Sequence, residues 1–138
     1  MKIHQFVVLL LVLGYWINAE TAPALQGTWL SNAELTIKSI ESKKELTDEA
    51  RAAYVSMFGK MKLTFETDEV IVDHGIPAPT STVFREHYQI RSSGTDYVVV
   101  EFGRSATKTE KAKYIFDDNC IKRKQVNAEW FEYFCKIK

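Results

Sequence analysis

The chain has 138 residues, 18 basic and 18 acidic, for a formal net charge of zero, and 46% of its residues are hydrophobic. That balance argues against a nucleic-acid partner, which requires a basic surplus gathered on one face. The length suits one domain with one sizeable core.

Residues 1–19 have the three parts of a secretory signal. Lys2 supplies the positive start, Phe6 opens an unbroken apolar run that reaches Leu13, and Ile17-Asn18-Ala19 ends on the small residue a signal peptidase needs. Cleavage is expected after Ala19, leaving residues 20–138 as a single secreted or periplasmic domain. A membrane anchor is the alternative, but a span needs roughly 20 apolar residues. The run here is shorter, so no membrane span is expected in the mature chain. No Cys follows the run to be acylated as in a bacterial lipoprotein.

After a short polar lead-in, Gly27-Thr28-Trp29-Leu30 has the pattern of a first strand, with Ser31 or Asn32 available to cap the next element. Leu35, Ile37 and Ile40 among polar residues fit a short helix or a continuing strand; we favour the helix. A clearer helix begins after Thr47, an N-cap residue followed by Asp48 and Glu49, whose charges suit a helix N-terminus. Ala50, Ala53, Tyr54, Met57 and Phe58 recur at helical spacing, and Gly59 stands where a left-handed cap belongs. This apolar stripe is expected to pack on the core rather than bind a partner.

From Met61 the period becomes alternating. Met61, Leu63 and Phe65 form one strand, Val70-Ile71-Val72 the next, and Gly75-Ile76-Pro77-Ala78-Pro79 interrupts the pairing. A hairpin comes next, Val83 to Arg91 turning through Ser92-Ser93-Gly94-Thr95-Asp96 into Tyr97 to Phe102; further strands are expected at Ala112 to Phe116, Cys120 to Gln125 and Glu129 to Lys138. About eight short strands predict a mainly β fold, an antiparallel barrel or sandwich.

Cys120 and Cys135, an even pair in an exported chain, are most simply a disulfide. If they face each other, Ile121 pairs with Phe134, Arg123 with Glu132 and Gln125 with Trp130, an apolar match and a charge match. The turn then falls at Asn127-Ala128. A two-residue turn would put the cysteines at a hydrogen-bonded pair, where a direct bridge is less comfortable; a longer turn or a diagonal bridge relieves this.

Gly27-Thr28-Trp29 resembles the Gly-x-Trp signature of the lipocalins and their calycin relatives. The resemblance implies an up-and-down barrel of about eight strands, with one or two short helices after the first, whose Trp closes the base beneath a ligand cavity. It also implies a late basic residue stacked on that Trp, for which Arg123 is the nearest candidate.

Asp73-His74 and Glu86-His87 are the carboxylate and imidazole clusters of the domain, and two surface histidines are the simpler account of them. No Gly-x-Ser-x-Gly turn, His-Glu-x-x-His helix or phosphate-binding glycine loop is present. No catalytic residue, metal site or cofactor is therefore expected. Lys108, Lys111, Lys113, Lys122, Arg123 and Lys124 come nearest to a basic patch, and solvated strand faces with acidic neighbours account for them. Aromatic residues fall on nearly every strand, and Trp29, Tyr88, Tyr97, Tyr114 and Trp130 are the candidate ligand contacts. Such side chains line a cavity or fill the barrel solid. The leading expectation is a non-catalytic domain binding a small apolar molecule; the alternative is a solid-cored interaction module, an inhibitor or envelope accessory factor whose protein partner is unknown. An enclosed apolar void of a few hundred Å³ would support a carrier of such a molecule, and its absence would remove it.

Overall fold

Alternating apolar and polar residues build eight strands, each antiparallel to the one before. The computed structural model describes residues 24–76, 83–105, 108–125 and 127–138. The signal at 1–19 with its cut after Ala19, and the Pro77-Ala78-Pro79 break, lie outside the described residues. Strands β1 (Gly27–Ser31), β2 (Lys62–Phe65), β3 (Glu69–Asp73), β4 (Val83–Ser93), β5 (Tyr97–Ser105), β6 (Lys108–Asp117), β7 (Cys120–Lys124) and β8 (Phe131–Lys136) follow one another around a closed up-and-down barrel, with β8 returning to β1. The mainly β barrel with helices after the first strand is thus the fold formed, since α1 (Ala33–Glu41) and α2 (Asp48–Met57) both lie between β1 and β2.

One residue in two along the strands points inward. Trp29, Leu63, Phe65, Val70, Val72, Tyr88, Val98, Val100, Phe102, Tyr114, Ile121 and Phe134 form a single buried cluster. Each large side chain so buried contributes about 1.5–3 kcal/mol. The barrel's two ends differ. At the end where β1 begins, Leu25, Trp29 and Phe116 plug the interior. The other end, where β3, β5 and β7 finish, is the mouth.

Trp29 is held by three contacts. Its Nε1 donates to the Leu25 carbonyl at 2.8 Å, Phe116 meets it edge-on at 6.2 Å, and Lys136 Nζ lies 5.2 Å from its ring centroid. The basic residue stacked on this Trp is therefore Lys136, not Arg123. The β1–β8 register sets Lys136 opposite Trp29, while Arg123 lies on β7 toward the mouth. Gly27 makes the stacking possible: its φ is 126°, and a Cβ there would sit 2.8 Å from Lys136 Cε.

Both helices form, with the expected caps. Asn32 Oδ1 accepts from Leu35 N–H at 2.9 Å, and Thr47 Oγ1 from Ala50 N–H at 3.2 Å. Their packing reverses the expectation. The stripe of α2 was expected on the core, yet α2 has no buried residue, with Val55 52% and Met57 66% exposed. It docks on α1 through Arg51, which donates from Nε and Nη2 to Glu41 at 2.9 and 2.8 Å. The core-facing helix is α1, whose Thr36, Ile37 and Ile40 are buried.

The reason lies in the sheet. β1 covers β8 only from Phe134 to Lys136, so the mouth-side edge of β8 lacks a strand on that side. There α1 substitutes: Tyr133 N–H donates to Thr36 Oγ1 at 3.0 Å, Phe131 N–H to Ser39 Oγ at 2.8 Å, and Asn32 N–H to the Tyr133 carbonyl at 2.8 Å. Helix hydroxyls thus complete a strand ladder, which satisfies backbone groups that would otherwise be open to pairing.

Cys120 and Cys135 form the disulfide in the expected register, with Ile121 opposite Phe134 and Arg123 opposite Glu132. The turn is longer than Asn127-Ala128 alone. Gln125 N–H donates to the Trp130 carbonyl and Lys136 N–H to the Asn119 carbonyl. That phase leaves the cysteines at a non-hydrogen-bonded pair, the narrow site, with Cα atoms 3.9 Å apart.

The strands are unequal. β4, β5 and β6 have 11, 9 and 10 residues and the others four to six. The mouth-side half of β6 accordingly extends past β7, which pairs with it only from Tyr114 to Asp117.

Candidate functional site

The mouth opens into a cup of ≈ 100 Å³ inside the barrel. Its walls are Met61, Leu63, Val70, Val72, Phe84 and Phe102, and its polar groups come from His74, Glu86, Glu110, Tyr114 and Arg123. Strand parity explains this mixture. Glu86 and Phe84 share the face of buried Tyr88 on β4, as Glu110 shares that of Tyr114 on β6, so residues that alternate inward near the mouth meet solvent through the cup. The volume falls below the few hundred Å³ expected of a carrier for a drug- or lipid-sized molecule, because Phe65, Tyr114 and Phe134 fill the interior beneath it.

A charged network forms one wall of the cup. Arg123 donates to Glu132 Oε2 from Nε at 3.3 Å and Nη2 at 3.1 Å, and from Nη1 to the Tyr114 hydroxyl at 3.5 Å. Gln125 Nε2 also donates to Glu132 Oε2, and the guanidinium lies 5.3 Å over the Phe134 ring. Glu132 is 4% exposed, so this carboxylate depends on its partners for the solvation it has lost. Burial opposes the charge on Arg123, but Tyr114 and Glu132 outweigh it and raise the guanidinium pKa. Burial also pushes the Tyr114 phenol above its ordinary value, an effect Arg123 partly offsets. The pairing of Arg123 with Glu132 was expected from the hairpin register. That both point inward follows from Ile121 and Phe134, their buried neighbours two positions away on each strand.

The structure distributes the five candidate ligand contacts. Tyr114 lines the cup. Trp29 belongs to the closed end. Tyr88 is buried lower in the barrel, its hydroxyl donating to the Glu66 carbonyl. Tyr97 carries Lys113 Nζ 4.2 Å from its ring centroid. Trp130 stands in the β7–β8 turn, edge-on to Phe58 at 5.9 Å. Phe84 and Glu86, which sequence reasoning did not select as ligand contacts, are found by counting back in twos from Tyr88.

The two histidines do not converge, although Glu86 of the second cluster shares the cup with His74. His74 lies in the cup, its ring 5.6 Å from that of Phe84. His87 pairs with Glu69 toward the closed end, Nε2 to Oε1 3.7 Å. Among the described residues no group of three His, Cys, Asp or Glu side chains could hold a metal ion, and no helix is long and apolar enough to cross a membrane. Compared with known proteins, the chain matches no family model, no curated sequence and no solved structure.

Proposed function

We propose that this protein is an exported, non-catalytic, lipocalin-like binding domain whose ligand is a compact molecule, or the compact end of a larger one, seated in the cup at the barrel mouth. The observation that carries this reading is the cup itself, a space of ≈ 100 Å³ lined about equally by apolar and polar groups, with the Tyr114–Arg123 network on one wall. A cavity of about 150 Å³ is enough for benzene, so a one-ring molecule with a polar substituent fits if it projects partly from the mouth. Kinship with the lipocalins is supported by Gly27, Trp29 and Lys136, which work as a unit at the closed end. Export is supported by the Cys120–Cys135 disulfide, a bond that persists in oxidising compartments.

The test is an NMR titration of the ¹⁵N-labelled protein with phenol, benzoate, benzylamine and the bulkier probe anilinonaphthalene sulfonate. A one-ring compound should shift amides around Val72, Glu86, Glu110 and Arg123, while the bulky probe leaves them unmoved. If no compound moves those amides, and native mass spectrometry of the exported protein finds no retained mass, the reading fails. The solid-cored interaction module would then take its place, a reading favoured by the filled interior beneath the cup.

A further inference from the structure

A second feature lies outside the cup, on the wall between β6 and β7. Residues 108–113 of β6 pair with β5 on one side. On the other, pairing with β7 stops at Tyr114–Arg123, and among the described residues no strand continues the sheet beside residues 108–113. A groove of ≈ 210 Å³ runs beside this edge, lined among others by Glu110, Lys111, Ala112, Lys113, Lys124 and Gln125. Lys113 and Lys124 occupy facing positions one step beyond Tyr114 and Arg123, a like-charge arrangement that costs stability in a sheet. One acid, Glu110, lines the groove itself, Glu101 is shared between Arg91 and Lys111, and the others nearby are held by other cations. Glu101 accepts from Arg91 at 3.0 Å and stands 3.9 Å from Lys111, Asp117 pairs with Lys122, and Glu132 with Arg123.

We propose that this edge of β6 docks an extended acidic segment of a partner protein, which adds as a strand beside residues 108–113, in line with β7. Strand addition uses backbone hydrogen bonds for affinity and alternate side chains for selectivity. Lysines on an open edge repel a second copy of that edge and attract a strand of opposite charge. Period-two alternation then specifies the occupant. Its outward residues meet Lys111, Lys113 and Lys124 and are acidic. Its inward residues meet Ala112 and Glu110 at the crowded rim of the mouth and are small or apolar.

The experiment is fluorescence anisotropy of the whole protein with labelled Ac-Glu-Val-Glu-Val-Glu-Val-NH₂, the Lys-for-Glu counterpart, and an acidic peptide N-methylated at alternate residues. The acidic peptide should bind and slow amide exchange within residues 108–113, and the basic and N-methylated peptides should not bind. The triple variant Lys111→Glu, Lys113→Glu, Lys124→Glu should bind the acidic peptide about tenfold more weakly. It alters only exposed side chains, and an unchanged ¹⁵N spectrum elsewhere would establish that it folds. Equal binding of the N-methylated peptide would overturn the proposal, since charge alone would then suffice. Binding of a heparin fragment without the peptide, or no binding at all, would also overturn it. Glu110 and Arg123 border both the groove and the cup, so Val72 and Glu86, which line the cup alone, tell the two apart: one-ring ligands should move them and the peptide should not.

Discussion

Replacing Thr36 by Val removes one oxygen from the joint between α1 and β8 and almost nothing else. Thr36 is 0% exposed, and its hydroxyl is the acceptor for Tyr133 N–H at 3.0 Å. Valine fills nearly the same volume, so no cavity forms, but the N–H is left without an acceptor where water does not reach. Stranding a buried donor costs about 1–3 kcal/mol. With an m-value of about 1–3 kcal/mol per M urea, the unfolding midpoint should fall by roughly 1 M at unchanged slope. Thr36→Ser keeps the acceptor and loses a methyl group, about 0.8 kcal/mol of burial, and should be the milder change. Equilibrium urea unfolding followed by tryptophan fluorescence measures both. If Thr36→Val unfolds at the wild-type midpoint, or Thr36→Ser is the more damaging variant, the helix hydroxyls do not complete the β8 ladder and the account of α1 is wrong.

Gly27→Ala should cost about 1–3 kcal/mol, because it places a Cβ against Lys136 Cε and a non-glycine residue at φ 126°. Adding Lys136→Ala should recover only part of that loss in a thermal melt, since the second variant removes the clash and leaves the backbone strain. Replacing Cys120 and Cys135 by Ala should cost about 3 kcal/mol for a bridge spanning 15 residues, and reductant should then no longer alter the unfolding curve. Base titration should expose Tyr88 and Tyr114. Burial raises both phenols, reinforced by the Asp68 charge for Tyr88 and partly offset by Arg123 for Tyr114. Their stabilisation is therefore complete below the ordinary tyrosine pKa of about 10 and is lost as pH rises through the folded values. Tyrosinate absorbance in the folded protein should lag behind that of the unfolded chain, and Tyr114→Phe should flatten the alkaline loss of stability.

Strand number, both helix starts and the pairing of the last hairpin were legible in the sequence because each depends on local chemistry: period-two alternation, the Asn32 and Thr47 caps, and matched residues flanking two cysteines. What could not be read depends on strand length and register. The apolar positions of α2 recur at helical spacing but segregate less cleanly than those of α1, and only α1 follows β1 closely enough to reach the uncovered edge of β8. Arg123 and Lys136 are both late basic residues, and only the β1–β8 register decides which meets Trp29. The phase of the disulfide depended on two extra residues in one turn. Among the candidate ligand contacts, Tyr97 and Tyr114 are both strand aromatics. Their opposite parity on adjoining strands sends Tyr114 into the cup and leaves Tyr97 beneath Lys113.

The seam between α1 and β8 also bears on when this protein can fold. Thr36 and Tyr133 are 97 positions apart, and Ser39 and Phe131 are 92, so both partners of the seam exist together only once β8 has been made. Closing so long a loop carries an entropic cost that local hairpins do not. Until β8 arrives, β1 has one neighbour instead of two and the buried face of α1 has nothing to cover. Folding of the barrel should thus commit in a single step, in which β8 supplies the partner that β1 and α1 have awaited.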